Sequence, residues 1–158
     1  MRTGKVLLVF GMGVFLGLAA LNNIMMPRGG YNVIGAAMGM ETTFQDPLVM
    51  WRAVNSPALI WAAWVVIVGG EAVAAFFCVK GAWTLWLARA SDTEFNNNKS
   101  TALVGLTIAA VLYFVVFHAI AQEWFMMWQS EEVNVLPGAF RNFASAVLLI
   151  LLLNSREQ

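Results

Sequence analysis

Four apolar stretches separated by polar breaks organise the chain. The first is Val6 to Leu21, preceded by Arg2 and Lys5. The second runs from Ala58 to about Leu87 and is interrupted by Glu71 and Lys80. The third runs from Ala102 to about Met127 and contains His118, Gln122 and Glu123. The fourth runs from about Ala139 to Leu153, with Arg141 near its start. A spanning helix needs about 20 apolar residues, because the hydrocarbon core is about 30 Å thick and each helical residue rises about 1.5 Å. The second and third stretches reach that length. The first and fourth reach it with flanking residues whose long side chains extend to the interface. The pattern predicts an all-α fold, an integral membrane four-helix bundle, as a single four-span domain over residues 1–158.

The breaks carry their own signals. Asp46-Pro47 and Ser56-Pro57 each pair a capping residue with proline at a first helical position. The segment "PLVMWRAVN" between them predicts a short interfacial helix between spans one and two. "SDTEFNNNKS", Ser91 to Ser100, reads as a polar loop, and "VLPG", Val135 to Gly138, breaks the chain before span four. The first stretch has a second reading. Its basic start, apolar run and small residues "GLAAL" also fit a secretory signal peptide. Gly13 and Gly17 favour a retained span, since that spacing suits close helix packing in a bilayer.

Composition agrees with a membrane protein. The chain is 60% hydrophobic and 11% charged, against about 45–50% and about 25% for soluble domains. A net charge of +0 without a basic patch excludes nucleic acid as an expected partner. The lone Cys78 lies in an apolar run, so no intrachain disulfide is expected, and a buried free cysteine packs as a small hydrophobe. Lysine and arginine set the expected orientation. With the N-terminus inside, one side holds Arg2, Lys5, Lys80, Arg89, Lys99 and Arg156, and the other only Arg28, Arg52 and Arg141. The expectation is a bacterial inner-membrane protein with both termini cytoplasmic. Two outer segments follow, about Asn22 to Asn55 and Glu123 to Gly138.

Ionisable groups inside spans are the first candidates for chemistry. Glu71 stands near the centre of span two, where a charge costs about 2.5–3.5 kcal/mol on insertion scales and therefore calls for a protein partner. Ala74, Ala75 and Cys78 share its helical face, a surface suited to another helix. His118, the only histidine, shares a face with Gln122 in the outer half of span three. The antiparallel spans allow His118 and Glu71 to meet in depth, so Glu71, His118 and Gln122 form a candidate intramembrane polar site. Both residues also have structural readings: a carboxyl that fixes helix register and a satisfied core histidine. At the outer level, Glu123, Arg141 and Arg52 are expected to ion-pair. Trp51, Trp124 and Trp128 form the outer part of an aromatic belt, and Trp83 and Trp86 the inner part. With Asp46 and Met50, this outer group is a candidate interaction or structural motif. Methionines cluster beside the outer segments, which suits either Cu(I) or adaptable packing, and packing is preferred. No cofactor is expected.

Taken together, "TTFQDPLVMWRAVNSPAL" and "EWFMMWQSEEVNVLPGAFRNF" make the chain similar to the bacterial predicted small integral membrane protein family, domain of unknown function 2165. The resemblance covers nearly the whole chain in order. It includes a first span ending in "ALNN", a glutamate in span two and the tryptophan element before "AFRNF". It implies Phe44, Asp46, Met50, Trp51, Arg52, Ser56, Pro57, Glu71, Glu123, Trp124, Met127, Trp128, Gln129, Arg141 and Phe143 as motif positions. One departure is "VNV" at Val133 to Val135, where the family pattern has "WNG". The family supplies no activity.

The function expected from these features is a noncatalytic accessory or assembly subunit of a larger membrane complex. Its partners would be the lipid bilayer and other membrane-protein subunits or a second copy of itself. The alternative is a proton-coupled transporter, or an outer-face metal or small-ligand binder, centred on Glu71 and His118. The inverted repeats and broken midplane helices of carriers are not visible in the sequence. An enzyme is not expected: no Ser-His-Asp spacing, HExxH or glycine-rich phosphate loop is present.

Overall fold

In a computed structural model, residues 1–156 are described, and they are helical with no strand among them. Helix α1 (Arg2–Met25) follows the first apolar stretch. Met26, at φ −124° and ψ 58°, interrupts it, and Pro27 opens α2 (Pro27–Met38). Proline lacks an N–H and has a fixed φ, which suits the start of a helix and not its interior. The long third helix, α3 (Pro57–Leu87), returns antiparallel to both. Asn23 bonds Glu71, Gly30 lies against Trp64, Gly35 lies against Ile60, and the Val54 N–H reaches the Met38 carbonyl. Successive residues of α1 and α2 thus meet successively earlier residues of α3. The two helices form one broken course along the same neighbour.

A short α4 (Asp92–Asn97), whose Ser91 cap accepts from the Glu94 N–H at 3.4 Å, turns the chain back. Helix α5 (Ser100–Val111) passes without a gap into a π-helical segment, Leu112–Trp124. The last helix is α6 (Leu136–Asn154). Four helical courses are long and apolar enough to cross a membrane: Arg2–Met25, Pro57–Ala90, Asp92–Trp124 and Leu136–Asn154. The all-α four-span bundle expected from the hydropathy pattern is present. A short helix does stand between spans one and two, but it is Pro27–Met38. Residues 47–55 make only a 3₁₀ turn at Met50–Arg52. There the Asp46 carboxylate accepts from the Leu48 N–H at 2.9 Å, closing a local turn that ends after too few residues for a helix.

Span two is the spine of the bundle. Ala74, Cys78, Ala82, Ala102, Leu106 and Ala109 are fully or almost fully buried between α1, α3 and α5. All of these but Leu106 are small side chains that let backbones approach, which is how helices gain contact in lipid. A Cβ on Gly81 would lie 2.4 Å from the Ala102 nitrogen, and one on Gly105 would lie 2.6 Å from the Cys78 nitrogen. Gly13 meets Val79 and Cys78 from the other side, where a Cβ would lie 2.8 Å from Val79 Cγ2 and 3.0 Å from the Val79 nitrogen.

The ends of the bundle differ in chemistry. At one, the terminal face, the Lys5 ammonium donates to the Ser155 carbonyl at 3.0 Å and to its hydroxyl at 2.8 Å. Lys99 donates to the same carbonyl at 2.8 Å, and Arg2 pairs with Asp92 at 3.0 Å. Cations here meet the carbonyl end of α6, where the helix dipole favours them. The opposite, loop face joins the two non-spanning segments. Thr42 and Ser130 share a hydroxyl hydrogen bond of 2.6 Å, and the Phe44 N–H donates to the Gln129 side chain at 3.1 Å.

Candidate functional site

Glu71 is 5% exposed in the interior of α3. Its carboxyl accepts one hydrogen bond from the Asn23 amide at 3.2 Å and one from the Tyr113 hydroxyl at 3.0 Å. Asn142 of α6 stands beside the same hydroxyl. Each of the four spans therefore contributes one polar side chain to a single buried network. No ion pair reaches Glu71 among the described residues. The network borders a cavity of about 400 Å³, whose walls include Phe15, Ile67 and Phe117. Tyr113 and Asn142 stand about 20 Å of helix from the Lys99 and Ser155 contacts, at about 1.5 Å per residue. In a hydrocarbon layer about 30 Å thick, the network lies inside the bilayer and nearer the loop face.

Two irregular helices frame this site. On one side, α1 breaks at Met26, just beyond Asn23. On the other, the α-to-π transition begins at Leu112, beside Tyr113. Segments of π-helix and broken helices are found disproportionately at functional sites, because they free backbone groups and re-aim side chains. The helix break, invisible as a hydropathy feature, falls where the proline stands.

The polar group expected from the sequence is divided. His118 does not meet Glu71. Its Nδ1 pairs with Gln122 Oε1 at 3.1 Å, and its ring lies against Phe114, Phe140 and Phe143. The cause is azimuth. Tyr113 and Phe117, four residues apart, share the face that borders the Glu71 cavity. His118 is one residue further round and faces α6. Gln122 is its partner, as the spacing implied, but it also donates to Glu123 at 2.7 Å.

The outer motif is also assembled differently. Glu123 takes its hydrogen bond from Gln122 and forms no ion pair with Arg52 or Arg141 among the described residues. Arg141 is exposed. The Arg52 guanidinium instead lies over the Trp51 and Trp124 rings, 5.6 and 5.2 Å from their centroids. Those rings meet edge to face at 5.7 Å. An arginine is weakly hydrated and stacks well on indole, so this cation–π pairing replaces the expected salt bridge. Trp128 packs edge-on to Phe44 at 6.1 Å. Met50 is half-buried in the 3₁₀ turn, while Asp46 shapes the turn before it.

Sequence reasoning missed Asn23, Tyr113 and Asn142. Asn23 reads as the polar end of a span, Tyr113 as an aromatic core residue, and Asn142 as a neighbour of Arg141. The available signal was the need of Glu71 for donors at its own depth. In span three, Tyr113 carries a hydroxyl well inside the apolar run.

A family model, the predicted small integral membrane protein family, matches residues 1–156. No curated protein and no solved structure matches the chain. The match spans all four apolar helices and both segments of the loop face. By that match, this four-span chain belongs to the predicted small integral membrane protein family, domain of unknown function 2165.

Proposed function

We propose that the protein is a noncatalytic accessory subunit that docks its loop face against another membrane protein. The supporting observation is a preformed apolar platform on the non-spanning segments. Phe44, Leu48 and Trp51 are 73, 81 and 70% exposed, and Trp128 packs beside Phe44. The platform is tied by the Thr42–Ser130 and Phe44–Gln129 hydrogen bonds and by the Arg52 stack. Covering one large apolar side chain is worth about 1.5–3 kcal/mol. Aromatic residues with arginine are the usual composition of interface centres. A patch whose backbone is tied in this way binds with less ordering cost, which favours a shaped protein partner over headgroup contact alone. The lysine and arginine distribution supports a bacterial inner-membrane location with the terminal face cytoplasmic.

Site-directed photo-crosslinking in the membranes of the source cell tests the reading. A crosslinker at Leu48 is expected to join one protein in stoichiometric yield, and the same group at Val65 on the exposed flank of α3 only lipid. Lipid adducts alone at both positions would remove the subunit reading.

A further inference from the structure

A second cavity adjoins the one beside Glu71. A neighbouring cavity of about 240 Å³ lies between α2, α3 and the π-helical segment. The two share Val33, Ile34, Ile67, Phe117 and Val135 as common walls. Their chemistry differs sharply. The first presents Glu71, Asn23, Tyr113 and Asn142, whereas the second is apolar, lined by groups such as Ala63, Val66 and Val116. A cavity with one polar end beside an apolar one, divided only by shared side chains, has the form of a site for an amphipathic molecule, with head and tail sorted by the walls.

The head group follows from the hydrogen bonds. Asn23 and Tyr113 both donate to the Glu71 carboxyl and leave further lone pairs on it, so the network presents an acceptor-rich centre. No cation among the described residues pairs with it. A buried carboxylate is stable when paired and hydrogen-bonded, and here the hydrogen bonds are present without the pair. An ammonium group supplies both the charge and additional N–H donors. We propose that the two adjoining chambers together bind a lipophilic primary amine in its ammonium form, with the head on Glu71 and the alkyl tail passing the shared side chains to lie between α2, α3 and the π-helical segment. This binding site is independent of the loop-face docking reading.

The full chain in lipid nanodiscs, titrated calorimetrically with decylammonium, tests the assignment. Decanol and decanoate serve as tail-matched neutral and anionic controls. Expected are saturable decylammonium binding and affinities about tenfold or more weaker for both controls, the scale of a lost charge-assisted hydrogen bond. Glu71→Gln is expected to weaken decylammonium by a similar factor, and Ala63→Phe, which fills the apolar chamber, to weaken all tail binding. Glu123→Gln, at the loop face, is expected to leave it unchanged. Absence of saturable decylammonium binding, equal affinity for decanol, or binding that survives Glu71→Gln would each overturn the proposal. Should Glu71→Gln fail to fold, the wild-type comparison of decylammonium with decanol and the Ala63→Phe titration decide. Equal affinities, or no effect of Ala63→Phe, then count against it.

Discussion

A carboxyl in a bilayer is defined by the donors around it. Glu71 has two, and both come from other spans, so each hydrogen bond is also a helix–helix contact. Removing the Tyr113 hydroxyl deletes one without changing ring packing against Phe117. Tyr113→Phe is expected to destabilise the bundle by about 0.6–1.7 kcal/mol, from the average to the largest value measured for hydrogen bonds between membrane helices. Unfolding by added sodium dodecyl sulfate reads this directly, and an unchanged midpoint would mean that the bond contributes nothing. The residue scale also shows what a sequence conceals. The position of Glu71 in span two and its small-residue face are legible, because depth and periodicity are local properties. Its partners are not: Asn23, Tyr113 and Asn142 are ordinary polar or aromatic residues until packing brings them to one point.

At the scale of elements, small residues decide how closely the spans approach. Gly81 and Gly105 meet backbone atoms across the α3–α5 contact, and backbone cannot rotate away as a side chain can. Gly81→Ala should cost about 1–3 kcal/mol as an overpacking change, with Gly105→Ala similar. Gly69, in the same helix with open space around its Cα, provides the control. Gly69→Ala is expected to cost nothing, since alanine is the better helix former. Thermal unfolding in one detergent compares the three, and equal effects would refute close backbone packing. Helix boundaries teach a related lesson. Residues 22–55 are predicted as one outer segment, yet Pro27–Met38 is helical and lies along α3. Its glycines and asparagine lower the local hydropathy without preventing a helix, because Gly30 and Gly35 fit against Trp64 and Ile60.

At the scale of the molecule, the chain crosses four times and brings both described ends to one face through Lys5, Lys99 and Ser155. Single cysteines placed in a Cys78→Ser background can test this in sealed vesicles of known orientation. A membrane-impermeant maleimide is expected to label Thr3→Cys and Arg156→Cys from one side and Glu132→Cys from the other. Labelling of all three from the same side would contradict the four-span course. The loop face and the bundle interior then have separate tasks in the proposals above, protein docking at the one and ligand binding in the other. The polar network and the loop platform are both built from residues distant in sequence, and hydrogen bonds between elements hold each together.

The number, length and order of the spans were determined by the sequence alone, because hydropathy sums over neighbouring residues and the bilayer thickness sets the required length. The turn prolines and the depth of Glu71 were equally local. Which polar groups meet was decided only by tertiary structure. Azimuth around each helix, the break at Met26 and the π-helical turns after Leu112 depend on how whole helices pack. A rotation of one residue sends His118 to α6 and Tyr113 to Glu71, and that rotation is energetically a property of the bundle and not of the segment.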